Sequence, residues 1–357
     1  MTTGGREMRM KKKLIGTLLA GVMAVSLLAG TGTAKTVSAE GNQTTATITK
    51  NLEMAEGITT SDKTFTFKAS PKTPDAPSLN VTDIPYSSDD KKAAENGKVT
   101  ISKTSGNILD GVTFPHAGVY EYTITENGAD DQGYGMKYDK SSYTLRVYVT
   151  NGENGPEVSD VKIAKNGEKV SDGINFTNTY TKKGHDGEGN SLEIAKIVSG
   201  NYGDKTKGFT FTITIQKAAT ANDTEYTGKV GKKEYTFKPG VPEIVELTDG
   251  QKLVFTDLPA GTKYSVTETG TENYTPSAAI VENGTNSTQN GEKGNDVTIS
   301  NKLVGENANS TTVTNTYDDG SITPTGILIQ NLPFVLLAAV CIAGIFVSFV
   351  SRRKFRR

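Results

Sequence analysis

The sequence predicts an all-β protein built as two tandem immunoglobulin-like β-sandwiches. Three observations carry this. Short segments alternate polar with apolar residues at period two, and Gly, Asn, Asp and Pro separate them. Helical periodicity is absent outside the two terminal segments. The order of strand-like segments also repeats once along the chain, which asks for two domains rather than one.

The N-terminal segment, residues 1–39, reads as a signal peptide. Lys11, Lys12 and Lys13 precede the apolar stretch Leu14 to Leu28, and Val37-Ser38-Ala39 supplies small residues for cleavage. The competing reading, a retained membrane anchor, is disfavoured by the breaks at Gly21 and Gly30. At the other end, residues 327–350 form an uncharged run of 24 residues. As a helix it would rise roughly 36 Å, enough to cross a hydrocarbon core of about 30 Å. The basic residues of 351–357 behind it belong on the cytoplasmic side. The chain is expected at the cell surface, exported and then held transiently by this anchor.

Between 318 and 326 lies Ile322-Thr323-Pro324-Thr325-Gly326. It resembles the sorting signal of Gram-positive surface proteins, a variant of the Leu-Pro-x-Thr-Gly pattern. The resemblance implies that a sortase cuts between Thr325 and Gly326 and attaches the chain to peptidoglycan.

The whole chain has a formal net charge of −1, but leader and tail each hold a surplus of five positive charges, leaving 40–325 at −11. An acidic ectodomain without a basic run argues against nucleic-acid binding. The sole cysteine, Cys341, sits in the anchor, so no disulfide braces the exported part.

Strand-like segments include 64–68, 119–124 and 143–149 in the first domain (40–180) and 209–215 in the second (191–317). Thr, Tyr, Val and Ile at period two suit a pleated sheet with one buried face. Residues 181–190, rich in Lys, Gly, Asp and Glu, read as a polar linker. The repeat aligns 46–50 with 192–196, the Phe-Thr-Phe of 65–67 with that of 209–211, and 117–126 with 260–268. It ends by aligning Phe176-Thr177-Asn178-Thr179-Tyr180 with Val313-Thr314-Asn315-Thr316-Tyr317.

Within that repeat a lysine, a glutamate and an asparagine recur in order. Lys50, Glu126 and Asn178 are separated by 76 and 52 residues; Lys196, Glu268 and Asn315 by 72 and 47. With these residues the chain resembles the pilin isopeptide-linkage family of Gram-positive bacteria, which includes the streptococcal T-antigen backbone pilins. The resemblance implies CnaB-type sandwiches, each closing a Lys–Asn amide bond in its core with the glutamate assisting. Asn301, which also ends a strand-like run, competes with Asn315 for the second bond. Taken singly, each of these residues reads as an ordinary strand-end side chain.

The chemistry suits those residue types. Burial favours a neutral, nucleophilic lysine and a protonated glutamate. The acid could then bond and polarise the asparagine carbonyl and pass a proton to departing ammonia. The reaction runs once on the protein's own side chains, so no turnover enzyme and no cofactor are expected.

The T-antigen resemblance also implies a lysine late in the first domain that accepts Thr325 of another subunit. Lys169 holds that position, nine residues before Asn178, with Lys162 and Lys165 as competitors. The implied partners are identical subunits, minor pilins, class C and housekeeping sortases, and peptidoglycan. A competing reading is a wall-anchored monomeric adhesin or minor pilin that binds a host ligand through loops such as 69–97 and 281–295. Enzyme readings find little support. His116 and His185 stand apart, and neither Asp130-Asp131 nor Asp318-Asp319 has calcium-loop spacing.

Overall fold

Alternation of buried and open residues organises the first sandwich. Its strands are β1 (Ile48–Ala55), β2 (Lys63–Pro71), β3 (Ile84–Tyr86), β4 (Lys98–Thr104), β5 (Gly118–Asn127), β6 (Gly135–Lys137), β7 (Ser142–Gly152), β8 (Gly155–Lys165), β9 (Glu168–Lys169) and β10 (Ile174–Thr181). One sheet runs β4-β1-β10-β6 and the other β3-β2-β5-β7-β8-β9. Their inner faces close on Phe65, Tyr120, Tyr122, Tyr143 and Phe176, all buried. The computed structural model from which this is read describes residues 42–187 and 189–318. The leader, the sorting signal with Thr325, the apolar run 327–350 and the basic tail lie outside the described residues.

The second sandwich holds β11 (Leu192–Ser199), β12 (Phe209–Gln216), β13 (Tyr226–Val230), β14 (Lys233–Phe237), β15 (Glu243–Leu247), β16 (Lys252–Phe255), β17 (Lys263–Glu268), β18 (Thr275–Glu282), β19 (Thr285–Asn290), β20 (Val297–Leu303) and β21 (Ser310–Thr316). Its sheets are β14-β13-β16-β11-β21-β18-β19 and β15-β12-β17-β20. A separate core gathers Phe209, Phe211, Phe237, Phe255 and Tyr264. Among the described residues there is no α-helix, only a 3-10 turn at Gly184–Gly187. No helix there is long and apolar enough to cross a membrane.

In both sandwiches the first and last strands are neighbours and parallel. β1 pairs with β10, and β11 with β21. Parallel partners need a long crossover; here the rest of each domain is that crossover. The asparagine-bearing strand thus lies beside the lysine-bearing one.

The two sandwiches belong to one compact unit. Thr59 of the first donates its N–H to Glu306 of the second at 3.1 Å, and Lys182 reaches the same carboxylate at 3.1 Å. Lys263 and Glu56 pair at 2.9 Å across the same junction. The segment 181–190, expected to be a plain polar linker, is held by backbone bonds to the second sandwich. Ala260 N–H donates to Lys182 O, Gly184 N–H to Leu258 O and His185 N–H to Gly305 O. Much of 281–295, expected to be a loop, is instead the β18–β19 hairpin.

Candidate functional site: two buried Lys–Glu–Asn clusters

Period-two parity delivers the polar residues inward. On β1, residues 48, 50, 52 and 54 are buried, so Lys50 occupies a core position between Ile48 and Leu52. Asn178 follows Ile174 and Phe176 on the inner face of β10. Glu126 continues the inward row Tyr120, Tyr122, Ile124 on β5, in the opposite sheet. The same parity buries Lys196, Glu268 and Asn315 on β11, β17 and β21.

The first cluster is closed to solvent. Lys50, Asn178 and the Glu126 side chain are 0% exposed. Lys50 Nζ lies 3.3 Å from Glu126 Oε2 and 3.3 Å from the Phe176 carbonyl oxygen. It also lies 4.8 Å from the Phe65 ring centre. Asn178 Nδ2 donates to Glu126 Oε1 at 2.8 Å, and Asn178 Oδ1 accepts the Asp139 N–H at 2.8 Å. Tyr86 hydroxyl donates to the Lys50 carbonyl at 2.5 Å, bracing the lysine's backbone.

The second cluster repeats the first on different strands. Lys196 Nζ lies 3.1 Å from Glu268 Oε2 and 4.2 Å from the Phe209 ring centre. Asn315 Nδ2 donates to Glu268 Oε1. Asn315 Oδ1 is buried and has no donor among the described residues. Phe65 and Phe209, each the first residue of its Phe-Thr-Phe, cover equivalent amines.

Burial dominates the electrostatics of both. It pulls Lys50 and Lys196 down to about 8, although the nearby glutamates oppose it. It pushes Glu126 and Glu268 above the ordinary carboxyl range, against the pull of the lysines. Neutral amine beside neutral acid therefore competes with the ion pair.

Two sequence expectations need correction. Asn301 is exposed on β20, in the sheet opposite Lys196, with its backbone in the left-handed region and its N–H donating to Ser265 Oγ at 2.9 Å. It is no competitor for Asn315. The glutamates, expected to bond the asparagine carbonyls, face the amide nitrogens instead; in the first sandwich a backbone N–H holds the carbonyl. Asp139, which supplies that N–H, had no sequence signal beyond sitting in a polar turn.

Lys169 is exposed on β9, facing Ala164 of β8 across the Asn166-Gly167 turn. Positive φ at both turn residues, 49° and 93°, gives the tight hairpin that Asn-Gly favours. Lys162 is half-buried, 2.9 Å from Asp160, and Lys165 lies 5.4 Å from the Tyr143 ring centre. The histidines are far apart in role: His116 Nε2 meets Asp75 at 2.6 Å, and His185 Nδ1 lies 3.2 Å from the Asn190 carbonyl.

Comparison of the sequence with known proteins points to a family. Residues 46–181 fit the family model described as Spy0128-like isopeptide containing domain, and 190–317 fit a domain of unknown function, DUF7601. A pilin of Streptococcus pyogenes serotype M1 is 30% identical over 354 residues, covering 93% of this chain and 97% of that protein. The chain belongs to the streptococcal pilin family. The pilus tip adhesin Cpa of Streptococcus pyogenes is 33% identical over 91 residues, 23% of this pilin chain and 12% of the adhesin. Among solved structures, the major pilin from Streptococcus pyogenes shares 24% identity, covering 78% of this chain and 99% of that one with a TM-score of 0.35. The pilus-presented adhesin Cpa shares 21% identity over 50% of this chain and 37% of its own, with a TM-score of 0.27.

Proposed function

We propose that the chain is the structural shaft subunit of a covalently polymerised surface pilus. Each sandwich carries a self-made Lys–Asn isopeptide bond, Lys50–Asn178 and Lys196–Asn315, and a sortase joins Thr325 of one subunit to Lys169 of the next. The observation that carries this reading is the recurrence of one buried Lys–Glu–Asn arrangement on the parallel first and last strands of both domains.

The neutral amine of Lys50 attacks Cγ of Asn178. Its proton passes to Glu126 Oε2 while the acid proton leaves Oε1 for Nδ2. The Cγ–Nδ2 bond breaks, ammonia departs and the acid is regenerated, with Glu126 within 3.3 Å of one nitrogen and 2.8 Å of the other. Glu268 does the same for Lys196 and Asn315. Folding supplies the proximity and orientation that make the step fast. The chain is consumed rather than turned over, so it is not an enzyme in the usual sense and needs no cofactor.

Subunit joining needs an accessible lysine, and Lys169 projects from a short hairpin while Lys162 and Lys165 are half-buried. Its partners in this reading are identical subunits, minor pilins, the sortases and finally peptidoglycan. Cell-wall extracts test it. A ladder of covalent multimers that disappears with Lys169→Ala supports a shaft subunit. A single mature band in the unmodified strain would leave a wall-anchored monomeric adhesin instead.

A further inference from the structure

The Asn178 carbonyl needs a partner of its own. Glu126 already faces both nitrogens, and in this arrangement neither of its oxygens is turned to Oδ1. We propose that the backbone N–H of Asp139 is the donor that activates the Asn178 carbonyl for attack and that the Asp139 carboxylate positions it. This rests on the Lys50–Asn178 bond proposed above.

As Nζ bonds to Cγ, negative charge grows on Oδ1 and the carbonyl becomes tetrahedral; the charge is returned when the Cγ–Nδ2 bond breaks and ammonia leaves. A donor already 2.8 Å from that oxygen stabilises the growing charge with no reorganisation. The donor is fixed by its own side chain. Asp139 Oδ1 accepts the Ser141 N–H at 2.8 Å, and Oδ2 accepts the Thr177 N–H at 2.9 Å. Thr177 precedes Asn178 on β10, so the carboxylate ties the donor's turn to the strand that carries the electrophile. Asp139 is a positioning residue through its carboxylate, while its N–H touches a reacting atom.

The second sandwich lacks this device. No donor among the described residues meets the buried Asn315 Oδ1. The second bond therefore serves as an internal clock in the same molecule.

The test uses full-length chain recovered unfolded and unlinked from inclusion bodies, then refolded by dilution. Ammonia loss at each site is timed by intact mass and peptide mapping, with refolding followed in parallel by circular dichroism. Asp139→Ala should slow the first bond at least about tenfold relative to the second, at unchanged refolding rate, while Asp139→Asn restores part of the loss. An ester replacing the Tyr138–Asp139 amide deletes only the N–H and should slow the first bond similarly, which keeps the test decisive should Asp139→Ala misfold. An unchanged ratio of the two rates in the ester-bearing chain overturns the proposal. Absence of the first bond from the unsubstituted chain would instead remove the underlying isopeptide reading, and this inference with it.

Discussion

Asn178 stands two residues beyond the register partner of Lys50: Lys50 pairs with Phe176, and Leu52 with Asn178. Lys196 and Asn315 repeat the relation, since Lys196 pairs with Val313 and Val198 with Asn315. Residues two apart share a sheet face, and a diagonal neighbour on the adjacent strand is within reach of a side chain as long as lysine. The parallel pairing of first and last strands thus sets lysine and asparagine on one buried face, each within reach of the same glutamate.

A pull on the two ends of the first sandwich loads β1 against β10, and the proposed Lys50–Asn178 bond would carry that load past the 127 intervening residues. In single-molecule pulling the first sandwich should resist extension. Glu126→Ala should add an unfolding event with a contour gain of roughly 45 nm. At equilibrium each bond should also restrict the unfolded chain by about 4–5 kcal/mol, on the loop arithmetic used for disulfides.

The choice of acceptor in the second sandwich is separable. Asn315→Ala should leave the purified chain heavier by one ammonia than expected for the two-bond form, corrected for the substitution. Asn301→Ala should not. Mass spectrometry of the two proteins decides it, because Asn301 is exposed in the sheet opposite Lys196.

Bond formation should depend on pH as a bell. The reactive pair holds one proton, with the amine neutral and the acid protonated. As pH falls through the raised Glu126 value, a second proton binds and the amine is lost as nucleophile. As pH rises through about 8, where Lys50 titrates, the last proton leaves and nothing remains to protonate departing ammonia. Refolding at graded pH with quenched intact-mass sampling should show both limbs; a rate still rising well above pH 8 would exclude the shuttle.

The junction between sandwiches makes its own prediction. Gly261 has φ of +93°, and a Cβ there would collide with Ala55 and sit 3.3 Å from the Glu56 carbonyl oxygen. Gly261→Ala should cost about 1–3 kcal/mol through backbone strain alone. Denaturant unfolding of the Glu126→Ala, Glu268→Ala background measures it without the cross-links.

Sequence made the six cluster residues legible because strand parity and an internal repeat both mark them. Lys50 breaks an apolar alternation at an inward position, and Lys196 does so again at the aligned one. Asp139 was not legible, since its contribution is a backbone N–H aimed by the turn between β6 and β7. Glu306 was equally hidden: its partner Thr59 lies 247 residues away, across a junction that no local pattern encodes. The docking of 181–190 was missed for a similar reason. Its polar composition describes the side chains, whereas backbone bonds to Leu258, Ala260 and Gly305 hold it.

The intact mass of the purified, unsubstituted ectodomain counts the closed bonds. Two closed isopeptide bonds predict a mass short of the sequence mass by two molecules of ammonia, with one restored by Glu126→Ala and the other by Glu268→Ala after correction for each substitution. An ectodomain at its full sequence mass would mean that neither bond forms.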